Sequence, residues 1–377
     1  MAKILIMMHH LGGGGAEKML ALTLGHWDYA SFDVTLLTSD REGARRISVD
    51  IPRLKVLYLK DIYHSFVLRN LFYRVKPLRG WIMKLNWRRA ARLVGDCKYD
   101  VALSYLEGHS AQLHQGLMQY AARNVSWVHC DFRSNHWSAR YFISEAAEKA
   151  FYRALDETVF VSGYARDSFL EFLPELGRNR VVHNCIDARE IQALSARMTP
   201  ARSERFTMVS VGRLIPAKRF DRLLQVVGRM KESGRECDLW ILGEGKLEGE
   251  LRRLAESLCL ADNVRFWGFQ PNPYPYVKVA DVFVSSSDSE GYGLVLGEAL
   301  CLGKPIVATA VGGTTEVLDP DECLFVPPDG QTLFDACCRL ADNPSLREEM
   351  ARKALASSAR FSVDEYMRQF SAAVTGN

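Results

Sequence analysis

The feature that most constrains this chain is an alternation. Short continuous apolar runs recur along it, with helix-length segments between them. A first series comprises Lys3–Met8, Val34–Leu37, Val56–Leu59, Val101–Ser104, Val125–Val128, Thr158–Val161 and Val181–His183. A second comprises Phe206–Val211, Asp238–Leu242, Val264–Trp267, Val282–Ser285, Pro305–Ala308 and Cys323–Val326. Strands apolar on both faces and separated by helices predict parallel sheets covered on both sides. Helices are expected from about Ala16 and over Arg219–Glu232, Lys246–Leu258 and Leu294–Leu302. Between the two series, Ile186–Arg205 is polar and basic around Pro200. The reading is α/β, with two Rossmann-like doubly wound domains at residues 1–188 and 189–360. A closing helix within 361–377 carries Phe361, Tyr366 and Phe370 at helical spacing and is expected to cross back onto the first domain. A length of 377 residues agrees with two cores.

Composition removes several function classes. A net charge of +3 lacks the basic excess of a nucleic-acid binder, so no nucleic acid is expected as partner. Nine scattered cysteines without a C-x-x-C pair read as buried reduced thiols of a cytosolic protein. No apolar stretch reaches the ~18 residues that span a bilayer. The N-terminal MAKILIMMHH lacks the core and cleavage site of a signal peptide and reads as a first strand. The expected location is cytoplasmic. One segment adds a surface: Ile62–Gly95 contains no Asp or Glu. It carries Arg69, Arg74, Lys76, Arg79, Lys84, Arg88, Arg89 and Arg92, interleaved with Phe66, Phe72, Tyr73, Trp81 and Trp87. Basic aromatic segments suit anionic lipid, so residues 66–92 are expected to hold the protein peripherally on the inner face of a membrane.

Open α/β sheets bind ligands beyond the carboxyl ends of their strands, and two such domains place the expected site in a cleft between them. Three segments there can carry chemistry. Gly12–Gly15 form a loop before the first helix, where a backbone without side chains can approach an anion. The dinucleotide fingerprint is incomplete, since Glu17 and Lys18 stand near the place of its third glycine, although Asp40 could serve as a ribose-binding acid. In the second domain Arg213 and Lys218 follow a strand end, and two cations there suit a diphosphate. Ser285–Leu300 then sets Glu290 in a loop and Glu298 in a helix, with Gly291 and Gly293 between them. A helix start near Leu294 presents free N–H groups and a favourable dipole to phosphate.

EGYGLVLGEAL resembles the E-x7-E signature of retaining glycosyltransferases of the GT-B fold, family four, also called group 1. GGGGAEK, WVH at Trp127–His129, VVHNCID, VGRLIPAKRFD, LGEG at Leu242–Gly245 and FWGFQPNPYPYVKVADVFVSSS follow the same family's patterns in order, from residue 3 to about 330. The resemblance implies roles. Arg213 and Lys218 would neutralise the donor diphosphate, Glu298 would bond the ribose, and Glu290 would contact the transferred sugar. Backbone N–H groups near Gly293, Leu294 and Val295 would hold the distal phosphate. Gly14 and Gly15 would approach from the first domain, and His129 would lie near the sugar. It implies a UDP-sugar donor, a glycan or lipid-linked acceptor of surface polysaccharide synthesis, retention of configuration, and no metal or other cofactor. Two departures stand out: Gly297 and Cys323 occupy places where relatives carry a bulkier apolar residue and a glycine. Asp319-Pro320-Asp321, a D-x-D pattern, reads as a turn and not as a metal site. The rival readings are a sugar-nucleotide epimerase on the same plan, a non-catalytic sugar-nucleotide-binding subunit and, last, an oxidoreductase.

Overall fold

The computed structural model describes residues 1–43, 51, 53–60 and 75–376, without the side chains of residues 76 and 77. It divides into two compact units. Met1–Asn184 with Asp364–Asn377 form unit 1, and Cys185–Val363 form unit 2.

Unit 1 holds a seven-stranded sheet of order β3-β2-β1-β4-β5-β6-β7. Its strands are β1 (Ala2–Met7), β2 (Phe32–Thr38), β3 (Lys55–Tyr58), β4 (Tyr99–Ser104), β5 (Ala121–Val128), β6 (Glu157–Phe160) and β7 (Asn179–Val181). Unit 2 holds a six-stranded sheet of order β10-β9-β8-β11-β12-β13. These are β8 (Phe206–Val211), β9 (Cys237–Leu242), β10 (Val264–Gly268), β11 (Val282–Ser285), β12 (Ile306–Thr309) and β13 (Cys323–Val326). All pairings are parallel. Each expected apolar run is a strand, with ends shifted by at most four residues. Both sheets reverse direction of winding beside their first strand: β1 lies between β2 and β4, and β8 between β9 and β11. At such a reversal the loops leaving the two strands turn to opposite faces and open a crevice, which fixes where each unit can bind a ligand.

In unit 2 the helix Phe220–Glu232 buries Leu223, Leu224 and Val227 against β8, β9 and β11 through Met208, Leu239, Ile241 and Val284. The other helix-length segments behave likewise. Six cysteines are buried as expected. Cys97 and Cys259 are exposed, a correction to the reading of all nine as interior. Cys97 lies in the polar turn after the helix Lys76–Val94, and Cys259 ends a helix with φ 54°.

The last helix, Val363–Thr375, packs on unit 1. Tyr366 joins a hydroxyl cluster, 3.0 Å from both Thr23 Oγ1 and the Tyr105 phenol. Phe370 is buried between Trp127 (centroids 4.9 Å apart) and Trp27 (5.0 Å). Arg123 donates to the carbonyls of Ala373 and Val374 at the helix end. Those carbonyls have no partner within the helix, so the guanidinium stabilises the end of the chain.

Because Phe370 fills the contact between this helix and the sheet, Phe370→Ala is expected to cost about 3–5 kcal/mol, the usual range for emptying an aromatic site in a core. Urea unfolding of wild type and variant measures it. A loss below ~1 kcal/mol would show that the helix is not integral to unit 1.

Candidate functional site

In unit 2 the crevice is bounded by the loops leaving β8 and β11. The β8 loop places Arg213 at the surface, where its guanidinium has no hydrogen bond or ion pair among the described residues. Lys218 folds back over Gly212, its Cε 3.7 Å from where a Cβ of residue 212 would lie. Its Nζ reaches Glu290 Oε1 at 2.5 Å. Ser287 Oγ donates to the same carboxylate oxygen at 2.8 Å. The two residues expected to serve diphosphate and sugar are thus direct partners.

A set of bonds holds these loops. Arg219 and Arg222 both pair with Asp288 at 2.8 Å, and Arg222 donates to the Ser286 carbonyl at 2.7 Å. The Asp288 N–H bonds the Ala217 carbonyl at 2.8 Å, and Ser286 Oγ bonds the Arg219 carbonyl at 2.9 Å. Thr309 Oγ1 from β12 donates to the Ser287 carbonyl at 2.6 Å. The Glu290 carbonyl accepts the Gly313 N–H at 3.0 Å. Gly312 has φ 53°, and a Cβ there would stand 2.1 Å from the Glu290 carbonyl oxygen. Only glycine lets the β12 loop approach this closely.

Gly293, at φ 90°, opens the helix Leu294–Cys301, whose N-terminus no side chain caps. Helix geometry leaves the N–H groups of Leu294 and Val295 without partners inside the helix. They and the dipole favour an anion at this point. Glu298 lies further along the same helix, 8% exposed, and hydrogen-bonds the buried Tyr274 phenol. Burial, and then the charge of Glu298, push that phenol well above its ordinary value. The departure at Gly297 has a steric reason. A Cβ there would lie 2.0 Å from Ile186 Cδ1, so Ile186 takes the room of the missing side chain.

Unit 1 arranges its candidates differently. Gly14 is the N-cap of the helix Gly15–Gly25. The space beside Gly14 is taken by Glu17, whose Oε2 lies 2.5 Å from where a Cβ would be. A phosphate at these glycines would therefore meet a carboxylate unless Glu17 turns away. Asp40 accepts the N–H groups of Leu11 (3.1 Å) and Gly43 (2.8 Å) and pairs with His10 at 2.9 Å. It ties down the glycine loop, so the idea of a ribose-binding acid gives way to a loop anchor. His129 follows β5, its ring 5.4 Å from that of Tyr105. Burial pushes its pKa down to about 3, against the opposing effect of the Tyr105 main chain. At neutral pH it is an uncharged imidazole.

Comparison with known proteins decides the family. Glycosyltransferase Family 4 matches residues 13–190, and Glycosyl transferases group 1 matches residues 194–356. The chain belongs to the group 1 glycosyltransferases. Among curated relatives, the lipopolysaccharide core biosynthesis glycosyltransferase LpsD of Rhizobium meliloti is 31% identical over 47% of this chain and 52% of its own. The chain thus spans about half the length of that relative. N-acetylgalactosamine-N,N'-diacetylbacillosaminyl-diphospho-undecaprenol 4-alpha-N-acetylgalactosaminyltransferase of Campylobacter jejuni is 26% identical over 96% of both chains. Among solved structures, Anabaena Alr3699/HepE in complex with UDP and glucose superposes with TM-score 0.76 at 16% identity over all of both chains. That likeness shows the fold, which is GT-B with two Rossmann-like domains.

Asp319-Pro320-Asp321 is a turn of this glycosyltransferase, closed by the Glu322 N–H on the Asp319 carbonyl at 3.0 Å. Several residues of the site escaped the sequence reading. The Arg219–Arg222–Asp288 set joins distant loops, and its signal is only an ion-pairable charge after a strand; Tyr274, a buried phenol at a helix start, offers no such signal. Glu107 in unit 1 had a clearer one: an acid followed by glycine directly beyond a buried strand.

Two alanine substitutions of opposite sign test the loop packing. Gly312→Ala is expected to destabilise by more than the ~1–2 kcal/mol of left-handed strain alone, because the Glu290 loop must also shift. Gly249→Ala, in an exposed helix position with nothing within 4 Å of the new Cβ, is expected to stabilise, by up to ~1 kcal/mol. Denaturant midpoints that move in the same direction would contradict the packing described.

Proposed function

We propose that this glycosyltransferase moves a sugar from a UDP-sugar to a glycan or lipid-linked acceptor with retention of configuration and without a metal. The observation that carries the reading is the surroundings of one crevice in unit 2: an exposed Arg213 unpaired among the described residues, the Lys218–Glu290 pair and an uncapped helix start. Breaking the bond between sugar and phosphate leaves negative charge on the diphosphate. Arg213 and Lys218 neutralise it, and the N–H groups of Leu294 and Val295, beside Gly293, stabilise it as it forms. Lys218 must leave Glu290 to do so, which frees that carboxylate for hydroxyls of the transferred sugar. Glu298 takes the ribose hydroxyls. Gly14, Gly15 and His129 are unit 1's contribution to sugar and acceptor, with Glu17 turning aside. UDP and glucose in HepE, and the diphospho-undecaprenol acceptor in the name of the C. jejuni relative, support this choice of donor and acceptor class. LpsD supports a place in surface polysaccharide synthesis.

The membrane reading rests on the helix Lys76–Val94. Ile82, Met83, Asn86, Ala90 and Val94 are buried, whereas Leu78, Trp81, Lys84, Arg88 and Arg92 share an exposed stripe. Ile143, 54% exposed, lies beside Gly80 and extends the apolar part of that stripe near Trp81, itself 58% exposed. Phe66, Arg69, Phe72, Tyr73 and Arg74 lie outside the described residues. No described helix is long and apolar enough to cross a membrane. We propose that the stripe rests on anionic lipid at the inner face of the cytoplasmic membrane.

Incubation with UDP-, GDP- and ADP-sugars should give hydrolysis of a UDP-sugar alone, undiminished by EDTA. Arg213→Ala or Lys218→Ala should lower turnover by about 10²–10³-fold, the usual cost of one electrostatic stabiliser. Epimer formation, or an inverted anomer in the transferred product, would reject the proposal. For the membrane, vesicles of phosphatidylglycerol should pellet the wild type, and the double reversal R88E/R92E should release it, at about 1 kcal/mol per basic residue lost. Equal pelleting of both proteins would refute the lipid reading.

A further inference from the structure

The loop after β4 in unit 1 carries a carboxyl with no role so far. Glu107 is 1% exposed. Its Oε2 accepts the main-chain N–H of His129 at 2.9 Å, and its Oε1 accepts the Trp137 indole N–H at 2.9 Å. Trp137 in turn covers Gly108, where a Cβ would lie 2.5 Å from the indole ring. The segments after β4 and β5 and the short turn Trp137–Tyr141 therefore converge on one carboxylate.

Burying a carboxyl is costly, and burial raises the pKa of this one above its ordinary value of 4.5. An architectural anchor alone does not need a carboxyl. What a carboxylate offers is two acceptor oxygens and no donor, so it can hold two N–H groups at once. An amide would turn its own NH₂ toward one of them. One of the two held groups belongs to the residue that bears the imidazole. The His129 ring is also tied to the Tyr105 main chain. Its Nε2 is buried and has no hydrogen-bond partner among the described residues. Such an orphan costs ~1–3 kcal/mol until a ligand or water meets it. A neutral ring nitrogen matches a hydroxyl better than a phosphate, which calls for a cation.

We propose that Glu107 is a positioning residue: by fixing the main chain of His129, it aims Nε2 at a hydroxyl of a bound sugar. The inference rests on the sugar-nucleotide reading above and adds to it a residue that touches neither sugar nor nucleotide. Trp137 is held by the same carboxylate, so the loop cannot shift at His129 without moving the indole.

Titration calorimetry with UDP, UDP-glucose, UDP-galactose, UDP-N-acetylglucosamine and UDP-N-acetylgalactosamine tests it. The ratio of the UDP dissociation constant to that of the tightest UDP-sugar reports the sugar contacts alone. Glu107→Gln and His129→Ala should each lower that ratio by about 2- to 12-fold, the worth of one net hydrogen bond. The double variant should lose no more than either single one, and UDP affinity should stay unchanged in all three. An unchanged ratio in Glu107→Gln, losses that add, or a parallel fall in UDP affinity would overturn the proposal. So would a wild type that binds no UDP-sugar more tightly than UDP. A second measurement is independent of the donor. The His129 amide proton, downfield in the wild type, should move upfield in Glu107→Gln while the remaining spectrum stays that of the folded protein. An unmoved resonance overturns the positioning role. Failure of the wild type to bind UDP at all would instead reject the unit 2 reading, with the amide resonance still deciding the role of Glu107.

Discussion

The Glu290 carbonyl oxygen lies where any side chain at position 312 would have to be, and the candidate site depends on that approach. It lets the loop after β12 pack directly on the loop after β11. The Thr309 hydroxyl and the Gly313 N–H then hold the main chain on either side of the glutamate. A backbone pinned in this way presents Glu290 from a rigid support, and pre-organisation of this kind is what electrostatic stabilisation requires. The Arg219 and Arg222 pairs with Asp288 serve the same end from the β8 side. They are structural cations, and their engagement separates them from Arg213.

Charge in the unit 2 crevice is balanced in part before any ligand arrives. Lys218 and Glu290 satisfy each other, while Arg213 and the start of the Leu294 helix have no partners of that kind among the described residues. In the proposed reading, an arriving diphosphate would exchange one ion pair for another and gain Arg213 and two N–H groups in addition. The Lys218 pair keeps Glu290 from standing as an uncompensated, largely buried charge. Unit 1 solves the corresponding problem without cations. Its buried Glu107 is met by main-chain and indole N–H groups, and its His129 is held neutral.

Much of this was legible in the residues. The thirteen strands follow from apolar runs too short for helices, and the helix starts at Gly15, Phe220 and Leu294 follow from glycine, proline and strand-end signals. The steric role of Gly297 was half visible: a glycine inside a helix implies close packing, but only the fold names Ile186 as the neighbour. Asp40 was ambiguous because an acid after a second strand can bond a ribose or its own loop, and the sequence pattern is the same for both; the structure shows the loop bonds. Glu17 shows the limit from the other side. Its place in the first helical turn was plain, but not that its carboxylate would fold over Gly14.

The sequence by itself determined the α/β class, the two series of strands and the order of the family's motifs, because hydrophobic periodicity and local backbone preference act over a few residues. Tertiary structure alone decided the order of strands, which sets β8 against β11 and β1 against β4, and so chose the loops that meet. It also decided which charges are spent: Asp288 on two arginines, Lys218 on Glu290, Glu107 on the main chain of His129. Those pairings join residues tens of positions apart. Their strength depends on distance and burial, which no local pattern encodes.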